Sequence, residues 1–156
     1  MKVFSTARFA VLAAAALALF LSCASAPYVQ KESPVLRLID LVNEGRVTEI
    51  DGLTLAPFVL DTETLYLDSD IRTLWENLHR SGFVMTEAQF ISAEPVQPES
   101  YKVFADTFDM KNFFDHYTGK DTSIVTVDTR EGRYYLLLER PVRGYPRIRG
   151  IRGPLK

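Results

Sequence analysis

Two histidines and a group of carboxylates are the side chains whose type and spacing could support acid–base or metal chemistry. His116 follows Asp115 and lies close to Asp109 and Asn112. A histidine beside carboxylates can relay a proton or ligate a metal. The same residues also form the polar face of an amphipathic segment whose other face is Met110, Phe113 and Phe114, which is ordinary helix patterning. His79 stands near the end of a second periodic segment, where a cation is favoured by the helix dipole. Asp106, Asp109, Asp115 and Asp121 are close in sequence, but a calcium loop needs ligands at closely alternating positions and a glycine at the sixth. Phe108, Met110, Phe113 and Phe114 occupy the intervening positions. The chain has no paired C-x-x-C, no H-E-x-x-H, no glycine-rich phosphate loop and no G-x-S-x-G elbow. No catalytic residue, metal ligand or cofactor is therefore assigned from the sequence, and nothing in it argues for an enzyme.

The distribution of charge is uneven. From Arg140 to the end there are six basic residues, Arg140, Arg143, Arg147, Arg149, Arg152 and Lys156, and no acidic one. Between Ala24 and Glu139 there are ten basic and twenty acidic residues. Such asymmetry suggests an anionic partner or a membrane surface. Arg147 and Arg149 would share one face of a strand with Ile148 on the other, so Arg143, Arg147, Arg149 and Arg152 form the candidate surface for an anionic partner. Two bland readings compete with this one. The arginines could guard an edge strand, or they could neutralise the acidic body of their own domain.

The N-terminus is organised for export. Lys2 and Arg8 are its only charges, and Phe9–Leu21 is an unbroken apolar run of thirteen residues. That is short of the roughly 20 needed to span a bilayer and matches the apolar core of a signal peptide. Two processing sites compete. Ala24-Ser25-Ala26 suits ordinary cleavage, but Pro27 follows it directly. Phe20-Leu21-Ser22-Cys23 resembles the lipobox of bacterial lipoproteins, in a relaxed, spirochaete-type form, since Phe20 stands where leucine is usual. The resemblance implies that residues 1–22 are a signal peptide and that Cys23 is acylated, as with palmitate, and becomes the first mature residue. Cys23 is the only cysteine, so an exported chain could form no internal disulfide, and lipidation gives the odd thiol a use. Residues 23–32 then read as a tether, at most about 35 Å long.

Residues 33–156 read as a single α+β domain, a mostly antiparallel curved sheet with about three helices. Val35, Leu38, Ile39 and Val42 have helical spacing after Ser33-Pro34, with Gly45 as the stop. Residues 46–56 fit no template. Phe58–Leu60 and Thr64–Leu67 read as a hairpin. Ile71, Leu74, Trp75 and Leu78 form the apolar stripe of a second helix, with Asp68 to Asp70 at its start and Gly82 at its end. Strands are expected over 83–93 and 101–105, a helix over 108–117, and a hairpin of 124–127 with 133–138. A last strand is expected over 147–151.

Three features together resemble the α+β cone of the nuclear transport factor 2-like superfamily, which includes ketosteroid isomerase and many binding-only proteins. They are the run Pro57–Leu65 followed by the Trp75 helix, the apolar strand Tyr134–Leu138 in a long hairpin, and the closing Arg147–Ile151. The resemblance covers roughly residues 33–152 and implies a pocket between sheet and helices. Two departures stand against it. The superfamily has more helix before its first strand, and a helix at 108–117 between strands is not standard. No residue matches the acidic base of the superfamily's enzymes.

The leading functional expectation is a membrane-anchored envelope lipoprotein carrying a non-catalytic binding or interaction domain. Its partners would be the membrane, through the lipid anchor, and an envelope protein or anionic envelope component. Its location would be the cell envelope, on the periplasmic face or the cell surface, where nucleic acid is not an expected partner. The alternative is a pocket domain that binds or transforms a small ligand. A core closed by aromatic and aliphatic side chains favours the first, and an open apolar pocket with convergent polar groups favours the second.

Overall fold

A computed structural model describes residues 26–156, so the apolar run, Cys23 and both processing sites lie outside the described residues. The chain begins with two helices, α1 (Glu32–Asn43) and α2 (Val47–Leu53). Strands β1 (Thr54–Leu60) and β2 (Glu63–Leu65) follow, then helix α3 (Asp68–Arg80) and strand β3 (Gln89–Pro95). A 3-10 turn (Ser100–Val103) and helix α4 (Phe108–Tyr117) are inserted before the last three strands. These are β4 (Thr122–Asp128), β5 (Arg133–Val142) and β6 (Tyr145–Leu155). The six strands form one mixed sheet in the order β2-β1-β6-β5-β4-β3. The chain is a single α+β domain, and every strand pair is antiparallel except β1 with β6.

Side chains alternate across a strand, so a sheet covered on both faces reads as a continuous apolar run. Strand β5 has this property. Tyr134, Leu136 and Leu138 face a core shared with Val35, Leu38, Ile39 and Val42 of α1, Ile50 of α2, and Ile71 and Trp75 of α3. Leu137 faces the opposite side, where Val59 and Ile124 meet Phe104 and the Met110, Phe113 and Phe114 face of α4. The domain therefore has three layers, with α1 to α3 on one face of the sheet and the 96–117 insertion on the other.

The helix with the Trp75 stripe forms as its spacing predicts. Trp75 is buried against Phe58, and its indole Nε1 donates to Thr54 Oγ1 at 2.9 Å. Five expectations need correction. Residues 47–53 are helical, although their single buried residue, Ile50, leaves no periodicity to read. Residues 101–105 form no strand; Tyr101 and Phe104 are buried three apart on a 3-10 turn. The strand expected over 83–93 starts later, at Gln89. Ser33 does not cap α1, which starts one residue earlier, and its hydroxyl accepts from Arg37 Nη1 instead. Finally, β6 is no edge strand. It lies between β1 and β5, so its arginines guard no edge.

Candidate functional site

The basic C-terminal strand carries a largely buried charge network. Strands β5 and β6 are joined by the two-residue turn Arg143-Gly144, closed by the pair Val142–Tyr145. Both turn residues have positive φ, 54° and 87°, the conformation whose twist matches a hairpin and which glycine adopts without steric cost. This hairpin register brings Glu139 opposite Arg147. Glu139 is only 8% exposed, and both its carboxylate oxygens are engaged. Arg147 Nη2 donates to Oε2 at 2.6 Å. Arg149 donates to Oε1 through Nε at 3.0 Å and Nη2 at 2.6 Å. The Nη1 of Arg149 reaches on to the carbonyl of Ala56 at 3.1 Å, which ties β6 to β1. Gln30, also buried, donates from Nε2 to the backbone carbonyl of Glu139 at 2.6 Å.

The four arginines singled out from the sequence are thus not gathered into one free surface. Arg147 and Arg149 are clamped on Glu139. Arg152 turns onto the insertion and donates to the carbonyls of Val103 and Phe104, the latter at 2.6 Å. Arg143, in the turn, is exposed and forms no ion pair among the described residues. The pairing of Arg147 and Arg149 is the neutralisation by the acidic body that the sequence leaves open, with Glu139, the last residue of that body, as the carboxylate concerned. The signal available was a lone carboxylate ending an apolar strand, facing arginines at alternate positions across a two-residue turn.

The histidine constellations are likewise not assembled. His116 Nδ1 lies 2.8 Å from the Asn112 carbonyl of its own helix, and Asp115 pairs with Lys111 at 2.7 Å. The His79 ring packs over Gly45, which ends α1 with a φ of 66°. A Cβ there would meet the ring at 2.3 Å, but the ring is exposed and can turn aside, so it is the positive φ that calls for glycine. Among the described residues no group of three or more His, Cys, Asp or Glu could hold a metal ion.

Several groups with shifted protonation lie at the other end of the molecule, around the β4–β5 turn, while Arg46, Lys102 and Lys111 are raised by hydrogen bonds to the neighbouring carboxylates Glu49, Glu99 and Asp115. Hydrogen bonds from Thr86 hold the Glu131 carboxyl below the usual glutamate range. The Arg133 guanidinium does the same for Asp128, donating to it at 2.6 and 2.8 Å. Burial pushes the Tyr134 phenol up. Each partner is a structural contact, and no reacting group is brought against them.

Besides an open groove of about 580 Å³ at the β4–β5 turn, lined by Asp128, Arg133 and Tyr135, two spaces bear on ligand binding. Between α1 and the sheet, where a cone fold would open a pocket, Leu38, Val42, Met85, Leu136, Leu138 and Ile151 close on a cavity of about 10 Å³. That is at the limit for a single water. An open groove of about 460 Å³ runs between α2 and the β5–β6 turn, floored by Leu41, Leu53 and Tyr145 and rimmed by Glu49, Val142 and Arg143. No protein-family model, curated protein or solved structure matches the chain.

Proposed function

We propose that the protein is an envelope lipoprotein, exported by residues 1–22 and anchored through acylated Cys23, whose α+β domain is a binding module held at the membrane surface. The observation that carries the non-catalytic part is the closed interior. The space between α1 and the sheet is filled by Leu38, Ile39, Val42, Leu136, Leu138 and Ile151, and leaves about 10 Å³. A small-ligand site in that interior would need a few hundred Å³ and a few convergent polar groups, and the roomier groove beside α2 is open to solvent.

The resemblance to the nuclear transport factor 2-like cone remains part of the proposal. Helix α2 supports it, since it supplies helix before the first strand that the sequence reading lacked. The 96–117 insertion on the opposite face is a departure from that pattern. The cone, on this reading, has lost its pocket to packing.

Supply of a labelled fatty acid to expressing cells tests the anchor. The wild type should take up the label and the Cys23→Ser variant should not. Equal labelling of the two, or none in either, refutes the lipoprotein reading.

A further inference from the structure

The tether is shorter than the sequence implies, because the domain holds its first described residues in place. Tyr28 N–H donates to the Lys120 carbonyl at 2.8 Å, and Ser123 Oγ donates to the Tyr28 carbonyl at 3.0 Å. The Tyr28 ring lies 5.2 Å from the Arg140 guanidinium. Buried Gln30 pins the next turn of chain to β5. From Cys23 to Tyr28 there are five residue steps, which reach at most about 18 Å when fully extended.

The tether therefore leaves from one defined end of the domain, and that end has a distinct surface. Arg140 stands beside Tyr28. Two residues further along β5 is exposed Val142, then exposed Arg143 in the turn. Arg37 reaches the same turn, donating to the Gly144 carbonyl at 3.0 Å. Val29, also exposed, lies between the pinned Tyr28 and Gln30. Of these three guanidinium groups only Arg140 has a carboxylate partner among the described residues, Asp121 at 2.9 Å. Glu32 and Asp40 are the exposed carboxylates of α1 on either side of Arg37. The opposite end of β5, at Arg133, is about 30 Å away by strand rise.

We infer that this end, formed by Val29, Arg37, Arg140, Val142 and Arg143, docks on the anionic headgroups of the membrane that holds the anchor. The inference rests on the lipoprotein reading and adds an orientation and a surface to it. A tether of about 18 Å keeps this end at the headgroups while the β4–β5 turn points away. Guanidinium groups near an anionic surface add to binding, and the exposed valines between them suit the headgroup boundary. The arginines of β6 that the sequence first suggested take no part, since they are committed to Glu139 and to the insertion.

Full-length acylated protein in phosphatidylglycerol-containing vesicles provides the test. Acylation blocks Cys23, so a single introduced cysteine can carry an environment-sensitive fluorophore, at Val142→Cys or, as the distant control, Lys156→Cys. A headgroup-level quencher should quench the first label several-fold more than the second. In purely zwitterionic vesicles, or with Arg37→Gln and Arg143→Gln together, the difference should shrink. Thermal melts check that each variant is folded. An acylated, vesicle-bound protein with equal quenching at both positions overturns the orientation and leaves the anchor standing. A difference untouched by lipid charge and by the double variant overturns the docking surface. Absence of acylation removes both the anchor and the inference.

Discussion

Glu139 is the residue on which the basic strand depends. It ends an apolar run, is nearly buried, and neutralises two guanidinium groups, one of which, Arg149, has a side chain only 12% exposed. Removing one member of a buried ion pair leaves an uncompensated charge and costs about 3–5 kcal/mol, whereas replacing the whole group by apolar residues of similar size is often neutral. Glu139→Gln should therefore lower stability by about 3 kcal/mol. The combination of Glu139→Leu, Arg147→Met and Arg149→Met should recover most of that loss. Urea unfolding at an unchanged m-value measures both. A Glu139→Gln variant as stable as wild type would show that the arginines are solvated and not held by the carboxylate. At this scale the sequence was informative about residue types and silent about pairing. The six basic residues after Glu139 were visible as an asymmetry. That two of them face a carboxylate eight and ten positions earlier depends on the turn at Arg143-Gly144, whose positive φ values are carried by an Arg-Gly pair rather than by the usual Asn-Gly.

Among the elements, α3 makes the most consequential contact. Its stripe delivers Trp75 to Phe58 on β1, and Thr54 at the start of β1 accepts the indole N–H. Thr54 Oγ1 in turn donates to the Ile50 carbonyl at 2.8 Å, so one hydroxyl links α2, β1 and α3. Trp75→Ala should cost about 3–5 kcal/mol by removing a fully buried aromatic side chain. Thr54→Val, which keeps the shape but orphans the indole donor, should cost about 1–3 kcal/mol. Native Trp75 should emit at short wavelength and shift red on unfolding. Emission typical of an indole in water, before any denaturant, would mean that α3 does not face β1. The elements that periodicity revealed are those long enough to repeat, namely α1, α3, α4, β4 and β5. Helix α2 has seven residues, one buried position and an internal Gly52, so it carried no pattern. The stretch 101–105 is short and mostly apolar, which suits a strand, but the spacing of buried Tyr101 and Phe104 is that of a 3-10 turn.

At the scale of the whole molecule, the sequence could not give the order of strands. The parallel pairing of β1 with β6, which puts the arginine strand inside the sheet, joins segments about ninety residues apart and leaves no local trace. Nor could it say whether the space between α1 and the sheet was open, because the same leucines and valines line a pocket or fill one. The structure fills it, and this makes a claim about the entire domain. A protein with a closed core should not bind apolar reporter dyes in its native state, while a cavity made on purpose should change that. Leu136 is buried where β5 meets α1, among the residues that close the 10 Å³ space. Leu136→Ala should cost about 2–5 kcal/mol and leave a dry hole of the kind that accepts benzene-sized molecules. Wild-type protein titrated with benzene or an anilinonaphthalene dye should show neither a shift in melting temperature nor enhanced fluorescence. The variant should be stabilised by benzene in a concentration-dependent way, as any ligand that binds only the native state must do. If wild type is itself stabilised by such ligands, and still is with Leu53→Ser in the open groove beside α2, its interior opens in solution, and the pocket-domain reading replaces the binding-module reading proposed above.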